Sequence, residues 1–579
     1  MNLGGLFKIE QLSYFYPEQE REALNAISLT VHEGEFVLIV GPSGGGKSTL
    51  ARVLSGFIPE FYGGRLQGQV FFQGHSLIEH NQKEWRKKIG FVFQDPERQI
   101  IRGVVENDLA FGLENLGLSS ELMKRRINET LNFLNLYSLR ERACHELSGG
   151  EKQKVALGSI LAMMPRVLVL DEPTSQLDPA ASQEMVGILG NLHREHGLTI
   201  ILIEQKIEPY LHLADRIIFL EEGKIVLDEK PREFLRQTKV RYPQYTPSMV
   251  RLADRAENPP LNVPEARSYL RSKILNPFSS PPAYGGTDFP PPSVGSLPAG
   301  QAGVRQGEKV RGNPEIPLLN VEGVFFSYEM SSFKKETLSE INFQVHPQEF
   351  FGVLGENGAG KSTLLKIMAG FLKPLKGKVI LHGQDVHTLE VKKKALQIAY
   401  LSQNPNDYLF NDTVEGELKF TMDNLGLKDL KITDEILEAL GLTHLRFRYP
   451  RDLSAGQRQR AALASVLVAE PRLILLDEPT RGLDHHLRNE LGILLKKWIV
   501  KKNLTVICVT QDVEFAAEFA DRILLLSEGK IMQQGTPQEV LDGNLFYSTA
   551  INRIFRGIVD GVVNVRQAEI FLKTLNSKY

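Results

Sequence analysis

The chain has 579 residues, of which 42% are hydrophobic and 24% charged, so it is long enough for several globular domains that need no metal or disulfide to fold. Its 68 Lys and Arg against 70 Asp and Glu leave no basic field for a nucleic-acid backbone, which argues against nucleic acid as a main partner. The N-terminal segment lacks a signal-peptide pattern, and no run of about 18 apolar residues occurs, so we expect a cytoplasmic protein that crosses no membrane itself. The two cysteines, Cys144 and Cys508, are too few for a disulfide framework or a zinc site and are expected to be buried small hydrophobes.

The first predicted element with chemical meaning is an apolar run, FVLIV at 36–40, which is typical of a buried parallel strand. It is followed by GPSGGGKST and a helix-compatible segment, which match the pattern GxxxxGK[ST]. Such glycines let backbone amides surround phosphates, while the lysine reaches the β and γ oxygens and the serine reaches Mg²⁺. The first predicted ATP site therefore contains Gly41, Pro42, Ser43, Gly44, Gly45, Gly46, Lys47, Ser48 and Thr49.

A second apolar strand of the first half, VLVLDE, ends in two adjacent carboxylates. Asp171 would hold Mg²⁺ through water, and Glu172 would orient and polarise the attacking water. An acidic strand end at a surface turn is the simpler alternative for this pattern alone. The phosphate loop in the same half favours the catalytic interpretation.

Proline-rich sequence separates the two halves of the chain. Residues 259–317 contain 12 of the 30 prolines, in runs that cannot sustain helix or ladder hydrogen bonds. We expect a flexible linker over 276–316, long enough for one half to fold back against the other.

The second half repeats the first. LSGGE at 147–151 recurs as LSAGQ at 453–457, and the paired carboxylates recur as Asp477 and Glu478, both at an offset of 306. A second phosphate loop follows the apolar run FFGVL, and two such matches after apolar strands are not expected by chance. The second predicted ATP site contains Gly355, Glu356, Asn357, Gly358, Ala359, Gly360, Lys361, Ser362 and Thr363, with Ser362 and Asp477 directed at Mg²⁺.

The repeat extends to the end of each half, since Tyr245 and Asn262 match Tyr547 and Asn564. The predicted fold is α/β, with two P-loop nucleotide-binding domains that each carry a helical C-terminal extension. The predicted bounds are 1–238 for the first domain, 239–275 for its extension, 276–316 for the linker, 317–543 for the second domain and 544–579 for its extension.

The LSGGE and LSAGQ segments, together with the phosphate loops, closely resemble the signature of ATP-binding cassette (ABC) proteins. The resemblance covers nearly everything except the linker and implies two ABC-type domains that hydrolyse ATP with Mg²⁺. It also implies that the signature of each half contacts the γ-phosphate bound by the other half, so that two ATP molecules lie in a head-to-tail pair. The signature residues concerned are Ser148, Gly149, Gly150, Ser454 and Gly456.

The same resemblance assigns two further pairs of ATP-site residues. Tyr16 and Tyr328 stand where an aromatic side chain stacks on adenine, although a tyrosine on a strand face is the alternative. Gln94 and Gln403 match the glutamine that touches Mg²⁺ and senses the transporter.

One position departs from the family pattern in both halves. Gln205 and Gln511 stand where members usually have a histidine that contacts the γ-phosphate. Glutamine can donate a hydrogen bond but cannot carry a proton, so turnover at both sites is left open while ATP binding is expected.

Asp178 and Asp484 match the loop that couples the two sites.

Two segments indicate a subfamily. FQDPERQII from Phe93 and SQNPNDYLF from Ser402 resemble the FQNPDDQLF segment of energy-coupling factor transporters, with Tyr408 in place of the usual glutamine. In that group, which includes cobalt and nickel uptake ATPases, the segment helps form a groove for a coupling helix of the membrane component. The helical extensions also resemble that group and are expected to help hold the halves together.

The resemblance implies a peripheral subunit on the cytoplasmic face of the cell membrane, which energises uptake of a vitamin or transition metal. Its expected partners are an integral membrane transport component and a substrate-binding membrane component. The alternatives are a soluble tandem-cassette ATPase that acts on ribosomes or nucleic acid, and a regulatory nucleotide-binding protein with little hydrolysis. Translation factors of this kind have a basic helical linker and repair ATPases have zinc cysteines, and neither feature occurs in this sequence.

Overall fold

The computed structural model describes residues 5–76, 87–253, 258–275, 316–328, 336–427, 431–481 and 483–578. The predicted linker, 276–316, lies outside the described residues except for its last residue. The chain forms two compact units. They comprise Met1–Pro247 with Glu257–Asn262, and Ser248–Ala256 with Val263–Tyr579.

Two sheets form the centre of the first unit. The strands found in its described part are β1 (Phe7–Phe15), β2 (Leu24–Val31), β3 (Phe36–Val40), β4 (Arg65–Phe72), β5 (His75–Ser76), β6 (Ile89–Val92), β7 (Val167–Asp171), β8 (Thr199–Ile203), β9 (Arg216–Glu221) and β10 (Lys224–Glu229). The smaller sheet is antiparallel, with the order β2-β1-β4-β5. The larger has the order β10-β9-β3-β8-β7-β6 and is parallel except for the edge strand β10.

Hydrophobic patterning explains this arrangement. Every residue of β3, β7 and β8 is buried, as expected for central strands of a parallel sheet that is covered on both faces. The predicted buried strand at 36–40 is therefore confirmed. Strand β1 instead alternates between buried and more exposed residues over much of its length, because only one face of the antiparallel sheet meets the core.

Helices connect the parallel strands of the first unit. They are α1 (Lys47–Leu54), α2 (Val105–Asn115), α3 (Ser120–Phe133), α4 (Gly149–Leu161), α5 (Pro179–Arg194) and α6 (Pro231–Arg241). Helix α1 packs against β7 and β8, directly behind the glycine-rich loop. Helices α2, α3 and α4 contact one another and form a helical layer between β6 and β7 in the sequence.

The second unit repeats both sheets. Its strands are β11 (Leu319–Phe326), β12 (Leu338–Val345), β13 (Phe350–Gly355), β14 (Lys376–Leu381), β15 (Gln384–Asp385), β16 (Ile398–Leu401), β17 (Leu473–Asp477), β18 (Thr505–Val509), β19 (Arg522–Ser527) and β20 (Lys530–Gly535). The sheet orders are β12-β11-β14-β15 and β16-β17-β18-β13-β19-β20. Strand for strand, these match the sheets of the first unit.

The helices of the second unit include two that precede the linker in sequence. They are α7 (Ser248–Leu252), α8 (Val263–Leu275), α9 (Lys361–Met368), α10 (Val391–Gln397), α11 (Val414–Leu425), α12 (Lys431–Ala439), α13 (Ala455–Leu467), α14 (His485–Lys501), α15 (Val513–Phe519), α16 (Pro537–Leu541), α17 (Ala550–Phe555) and α18 (Val565–Lys578).

Helices α7 and α8 come from the segment assigned by sequence to the extension of the first half, and they lie in the second unit. Both contact α17, and α7 also contacts α18. Ala266 and Leu270 of α8 are buried, and the Arg267 side chain donates to the carbonyl of Arg553. The second unit therefore builds its C-terminal helical region from chain on both sides of the linker.

Both cysteines are buried and unpaired, as expected for small core residues. Cys144 lies in the 3-10 turn before α4, and Cys508 lies in β18. Within the described part of the chain, the helices are all too short or too polar to span a bilayer.

Candidate nucleotide-binding sites

The functional side chains of each unit follow the carboxyl ends of adjacent parallel strands. In the first unit, the phosphate loop follows β3, Gln94 follows β6, Asp171 ends β7 and Gln205 follows β8. In the second unit, the same groups follow β13, β16, β17 and β18. Since ligands of open α/β sheets bind outside the carboxyl ends of the strands, each unit gathers these four groups at one binding edge.

Each phosphate loop is folded around its lysine. The ammonium group of the buried Lys47 donates to the carbonyls of Gly41 and Pro42, both at 2.9 Å. Lys361 makes the same two bonds in the second unit, both at 2.8 Å. The backbone thus curls around a buried positive charge, in a loop that leads directly into the N-terminus of a helix, where anions are favoured.

The first glycine of each loop has a steric role. Gly41 has φ of 143° and Gly355 has φ of 159°, and a Cβ atom there would lie 2.0 Å from the carbonyl oxygen of Leu220 and 2.2 Å from that of Leu526. No side chain fits at that distance from backbone. Glycine is therefore required where the loop leaves its strand and passes the neighbouring strand.

The predicted metal-binding groups adjoin the phosphate loops. Ser48 donates to a carboxylate oxygen of Asp171 at 2.9 Å. Burial raises the pKa of Asp171, and the Ser48 hydrogen bond opposes that rise. In the second unit, burial raises the pKa of Asp477 against the effect of a hydrogen bond from Ser362. Each unit thus places a serine hydroxyl beside a buried carboxylate, a pair of oxygen ligands of the kind that Mg²⁺ prefers.

Glu172 is held by two glutamines. Its Oε2 accepts from the side chain of Gln94 and its Oε1 from that of Gln205, both at 2.9 Å. Gln205 therefore contacts the carboxylate predicted to polarise water. The backbone at Glu172 has φ of 48°, in the left-handed region that is rare for residues other than glycine. Residues in this conformation persist only where surrounding contacts hold them in place, and they cluster at functional sites.

Glu478 has the same unusual backbone, with φ of 50°, but different side-chain partners. Its Oε2 accepts from the backbone amide of Gln511 at 3.2 Å, while its Oε1 is buried without a hydrogen-bond partner among the described residues. Burial raises the pKa of Glu478 to about 7. Burial without a second donor therefore favours the protonated form of Glu478.

The two units also differ in the partner of this glutamine side chain. The side-chain amide of Gln511 donates to the side-chain oxygen of Asn357. In the first unit the equivalent loop residue is Ser43, whose shorter side chain lacks an amide oxygen. Gln511 therefore bonds the phosphate loop, whereas Gln205 bonds Glu172.

The predicted adenine-stacking tyrosines lie beside the phosphate-loop helices. The hydroxyl of Tyr16 lies 3.1 Å from that of Thr49, and that of Tyr328 lies 3.1 Å from that of Thr363. Tyr16 also accepts a hydrogen bond from Arg52 at 2.8 Å. These contacts place each tyrosine hydroxyl beside the first turn of the helix that begins at the phosphate-loop lysine.

The signature residues form a separate local structure in each unit. Ser148 and Ser454 are the N-caps of α4 and α13, and each is part of a capping box. A Cβ atom at Gly150 would lie 2.9 Å from the side chain of Ala181, so this glycine permits close packing of α4 on α5. The aspartates of the coupling loops, Asp178 and Asp484, cap the N-termini of α5 and α14.

Sequence reasoning missed a buried acid in the first unit. Glu204 directly precedes Gln205 and accepts hydrogen bonds from the amide and the hydroxyl of Thr174, at 3.1 and 2.6 Å. The available signal was a carboxylate directly after an apolar run, IILI at 200–203. The second unit has Thr510 at this position.

The segments that resemble the energy-coupling factor group have matching conformations. In the first unit, the side-chain oxygen of Gln99 accepts from the amide of Phe93 at 3.0 Å. In the second, the hydroxyl of Tyr408 accepts from the amide of Ser402, also at 3.0 Å. The tyrosine thus takes over the structural role of the glutamine that it replaces.

We expect Tyr408→Phe to lower the free energy of unfolding by about 1–3 kcal/mol, because it leaves the amide of Ser402 without its acceptor. Tyr408→Gln should restore most of the loss. Urea denaturation measures both effects, with the exposed Tyr449→Phe as a control for tyrosine removal in the same unit. Equal unfolding free energies for Tyr408→Phe and the parent chain would contradict the assigned role.

Comparisons with known proteins find similar sequences for both units. A protein-family model described as ABC transporter matches residues 24–175 and 338–481, one segment in each unit. An ABC transporter ATP-binding protein of Methanosarcina acetivorans is 37% identical over 548 residues, which cover 92% of this chain and 86% of that protein. A protein of the same description from Bacillus cereus is 35% identical over 561 residues, which cover 96% of each.

Among solved structures, cbiO1 from Clostridium perfringens, described as part of the ABC transporter complex cbiONQ, is 30% identical. The match covers 42% of this chain and 97% of that one, with a TM-score of 0.37. The family match occurs in both units, and the relatives are matched over most of their length. The chain therefore belongs to the ABC transporter family, as an ATPase that carries two ATP-binding cassettes in one polypeptide.

Proposed function

We propose that this ATPase energises an energy-coupling factor type importer for a vitamin or a transition metal. The observation that supports this proposal is the matching surface segment after β6 and after β16. Both segments form a 3-10 turn, Pro96–Arg98 and Pro405–Tyr408. Each then exposes a large apolar residue at the same place: Ile101 is 64% exposed and Phe410 is 70% exposed. Exposed apolar side chains that recur at the same place in both units suit the docking of a helix from an integral membrane protein.

In this proposal, each cassette supplies one set of hydrolytic groups. Glu172 and Glu478 act as general bases, which polarise the water that attacks the γ-phosphate. Lys47 and Lys361 hold the β and γ oxygens with charge-assisted hydrogen bonds. Tyr16 and Tyr328 stack on adenine, and the glycine-rich loops present backbone amides to the phosphates.

Mg²⁺ fits the donors at both sites. Asp477 has a buried Oδ1 without a hydrogen-bond partner among the described residues, and Asp171 lies against the Ser48 hydroxyl. Hard oxygen ligands of this kind suit Mg²⁺, with Gln94 and Gln403 as further candidates. When bound, the metal ion neutralises phosphate charge.

The remaining assignments concern closure and location. The two nucleotide-binding domains, 1–238 and 317–543, would close head to tail, so that Ser148, Gly149 and Gly150 meet the ATP bound at Lys361. Ser454 and Gly456 would meet the ATP bound at Lys47. The extensions, 239–275 and 544–579, would hold the halves together, and the protein would be peripheral on the cytoplasmic face. Its partners would be one integral transport component and one substrate-binding membrane component.

Docking is tested with Ile101→Asp and Phe410→Asp combined in one variant, because both side chains are exposed and their replacement should leave the folded units intact. Tagged parent chain, purified from detergent-solubilised membranes, should carry integral membrane proteins that mass spectrometry identifies. The double variant should lose them while it still hydrolyses ATP. Val240→Asp is the matched control, since Val240 is 82% exposed and lies in α6.

Two outcomes would count against this proposal. If the parent chain is recovered with ribosomes and no integral membrane protein, the importer assignment is wrong. If the double variant retains its membrane partners in the same amount as the control, docking does not use this segment.

A further inference from the structure

Glu204, Thr174 and Tyr210 form a buried polar network beside the chain segments that carry Glu172 and Gln205. Glu204 is 3% exposed and follows β8, whose five residues are all buried. Its Oε1 accepts from the hydroxyl of Thr174 at 2.6 Å and from the amide of Thr174 at 3.1 Å. Tyr210, which is fully buried, places its hydroxyl 3.2 Å from that of Thr174 and 3.4 Å from Glu204.

A buried carboxylate is costly unless its partners compensate for lost hydration. Burial raises the pKa of Glu204 to about 7, while the Thr174 hydrogen bonds lower it and the charge of Glu172 raises it further. The donors around Glu204 thus offset part of the desolvation, and the network connects three separate parts of the chain.

The position of the network relative to the site is informative. Thr174 lies two residues after Glu172, and Glu204 lies one residue before Gln205. The Glu204–Thr174 bonds therefore tie together the two backbone segments that carry Glu172 and Gln205. Between those segments runs the 2.9 Å hydrogen bond from Gln205 to Glu172.

The second unit provides a natural comparison. There, Glu204 and Tyr210 are replaced by Thr510 and Ala516, so both partners of the network change together. In that unit the hydroxyls of Thr480 and Thr510 lie 3.4 Å apart, and Thr510 also accepts from the amide of Asp512 at 3.0 Å. In that unit the side chain of Gln511 bonds Asn357 in the phosphate loop.

We propose that Glu204, supported by Tyr210, is a positioning residue of the first hydrolytic site, which holds Gln205 and Glu172 in their mutual hydrogen bond. The inference rests on the proposed role of Glu172 as general base. Glu204 itself contacts neither nucleotide nor water in this role. It acts on catalysis through the geometry of Glu172 and makes the two cassettes unequal.

The test converts the first network into that of the second unit, with Glu204→Thr and Tyr210→Ala combined. We expect the kcat of ATP hydrolysis to fall about tenfold, while the KM for ATP stays within about twofold, because a misplaced base affects chemistry more than binding. Glu204→Gln retains a side-chain oxygen that can accept from Thr174, so it should keep most of the parent kcat.

Two further variants make the result interpretable. Thr238→Val removes an equally buried hydroxyl in α6, far along the chain from the site, and should leave kcat and KM unchanged. Glu172→Gln reports whether the general base is assigned correctly. If Glu172→Gln hydrolyses ATP at the parent rate, the proposed role of Glu172 fails and the positioning role fails with it.

If Glu172→Gln is slow but the double variant Glu204→Thr with Tyr210→Ala has the parent kcat, only the positioning role of Glu204 is wrong. A double variant with a lower melting temperature and a raised KM, but an unchanged kcat, would mean that the network is merely structural. Should the double variant not fold, Glu204→Ala replaces it in the same comparison, and a Glu204→Gln variant as slow as Glu204→Ala would also overturn the inference.

Discussion

Glu172→Gln should lower the rate of ATP hydrolysis at the first site by about 100-fold, because loss of a positioned general base commonly costs between about 100- and 10,000-fold, and the total rate should fall to the share that the second site supplies. The substitution keeps the shape of the side chain and removes the carboxylate that polarises water. Binding of ATP depends on the phosphate loop and should change by less than about twofold. Phosphate release measures the rate of hydrolysis, and calorimetric titration measures the affinity for ATP.

The same substitution at Glu478 should cost less than about tenfold in total rate. Glu172 has both oxygens oriented by amide donors from Gln94 and Gln205, whereas Glu478 has one oxygen without a partner among the described residues. Burial also raises the pKa of Glu478 to about 7, so burial without a second donor favours its protonated form. The first site should therefore carry most of the turnover.

Two results would contradict this ranking or the assignment behind it. A larger loss for Glu478→Gln than for Glu172→Gln would make the second site the faster one. Vigorous hydrolysis by the variant that combines Glu172→Gln with Glu478→Gln, with contaminating ATPase excluded, would mean that neither glutamate is the catalytic carboxylate. If the assignment is correct, the double variant should instead retain ATP through gel filtration.

Lys47→Ala and Lys361→Ala should each weaken ATP binding at their own site by about 10- to 100-fold, since a hydrogen bond to a charged group contributes about 1.5–3 kcal/mol. Each lysine is buried and already directed into its loop by two backbone carbonyls, so no flexible surface charge can substitute for it. Calorimetry of the parent chain should show two binding events, and each single variant should lose one at moderate nucleotide concentration.

Lys8→Ala is the matched control, because Lys8 is exposed and forms an ion pair with the exposed Glu10 in the first unit. It should bind ATP as the parent chain does. Unchanged affinity in the variant that combines Lys47→Ala with Lys361→Ala would overturn the assignment of both phosphate loops.

The sequence by itself determined the features that depend on short, contiguous patterns. The phosphate loops, the paired carboxylates, the repeat and the family each follow from residues close together in the chain, because a strand, a glycine-rich turn and a helix start must be adjacent to bind phosphate. The buried strand at 36–40 and the unpaired, buried cysteines could also be predicted, since composition and local periodicity decide burial of such segments.

Only the tertiary structure distinguished residues that look equivalent in sequence. Gln205 and Gln511 occupy the same motif position, but one bonds Glu172 and the other bonds Asn357, which is 154 residues away in the chain. Likewise, Tyr408 departs from the usual glutamine in sequence and still supplies the same acceptor to the backbone.

The placement of α7 and α8 in the second unit and the network of Glu204 were also decided by tertiary structure. Helix formation is a local property, but the surface on which a helix buries its apolar face depends on residues distant in sequence. Glu204 could not be assigned a role from sequence for the same reason. A lone acid at a strand end gives no sign of its partners, and only tertiary packing brings the hydroxyls of Thr174 and Tyr210 against it.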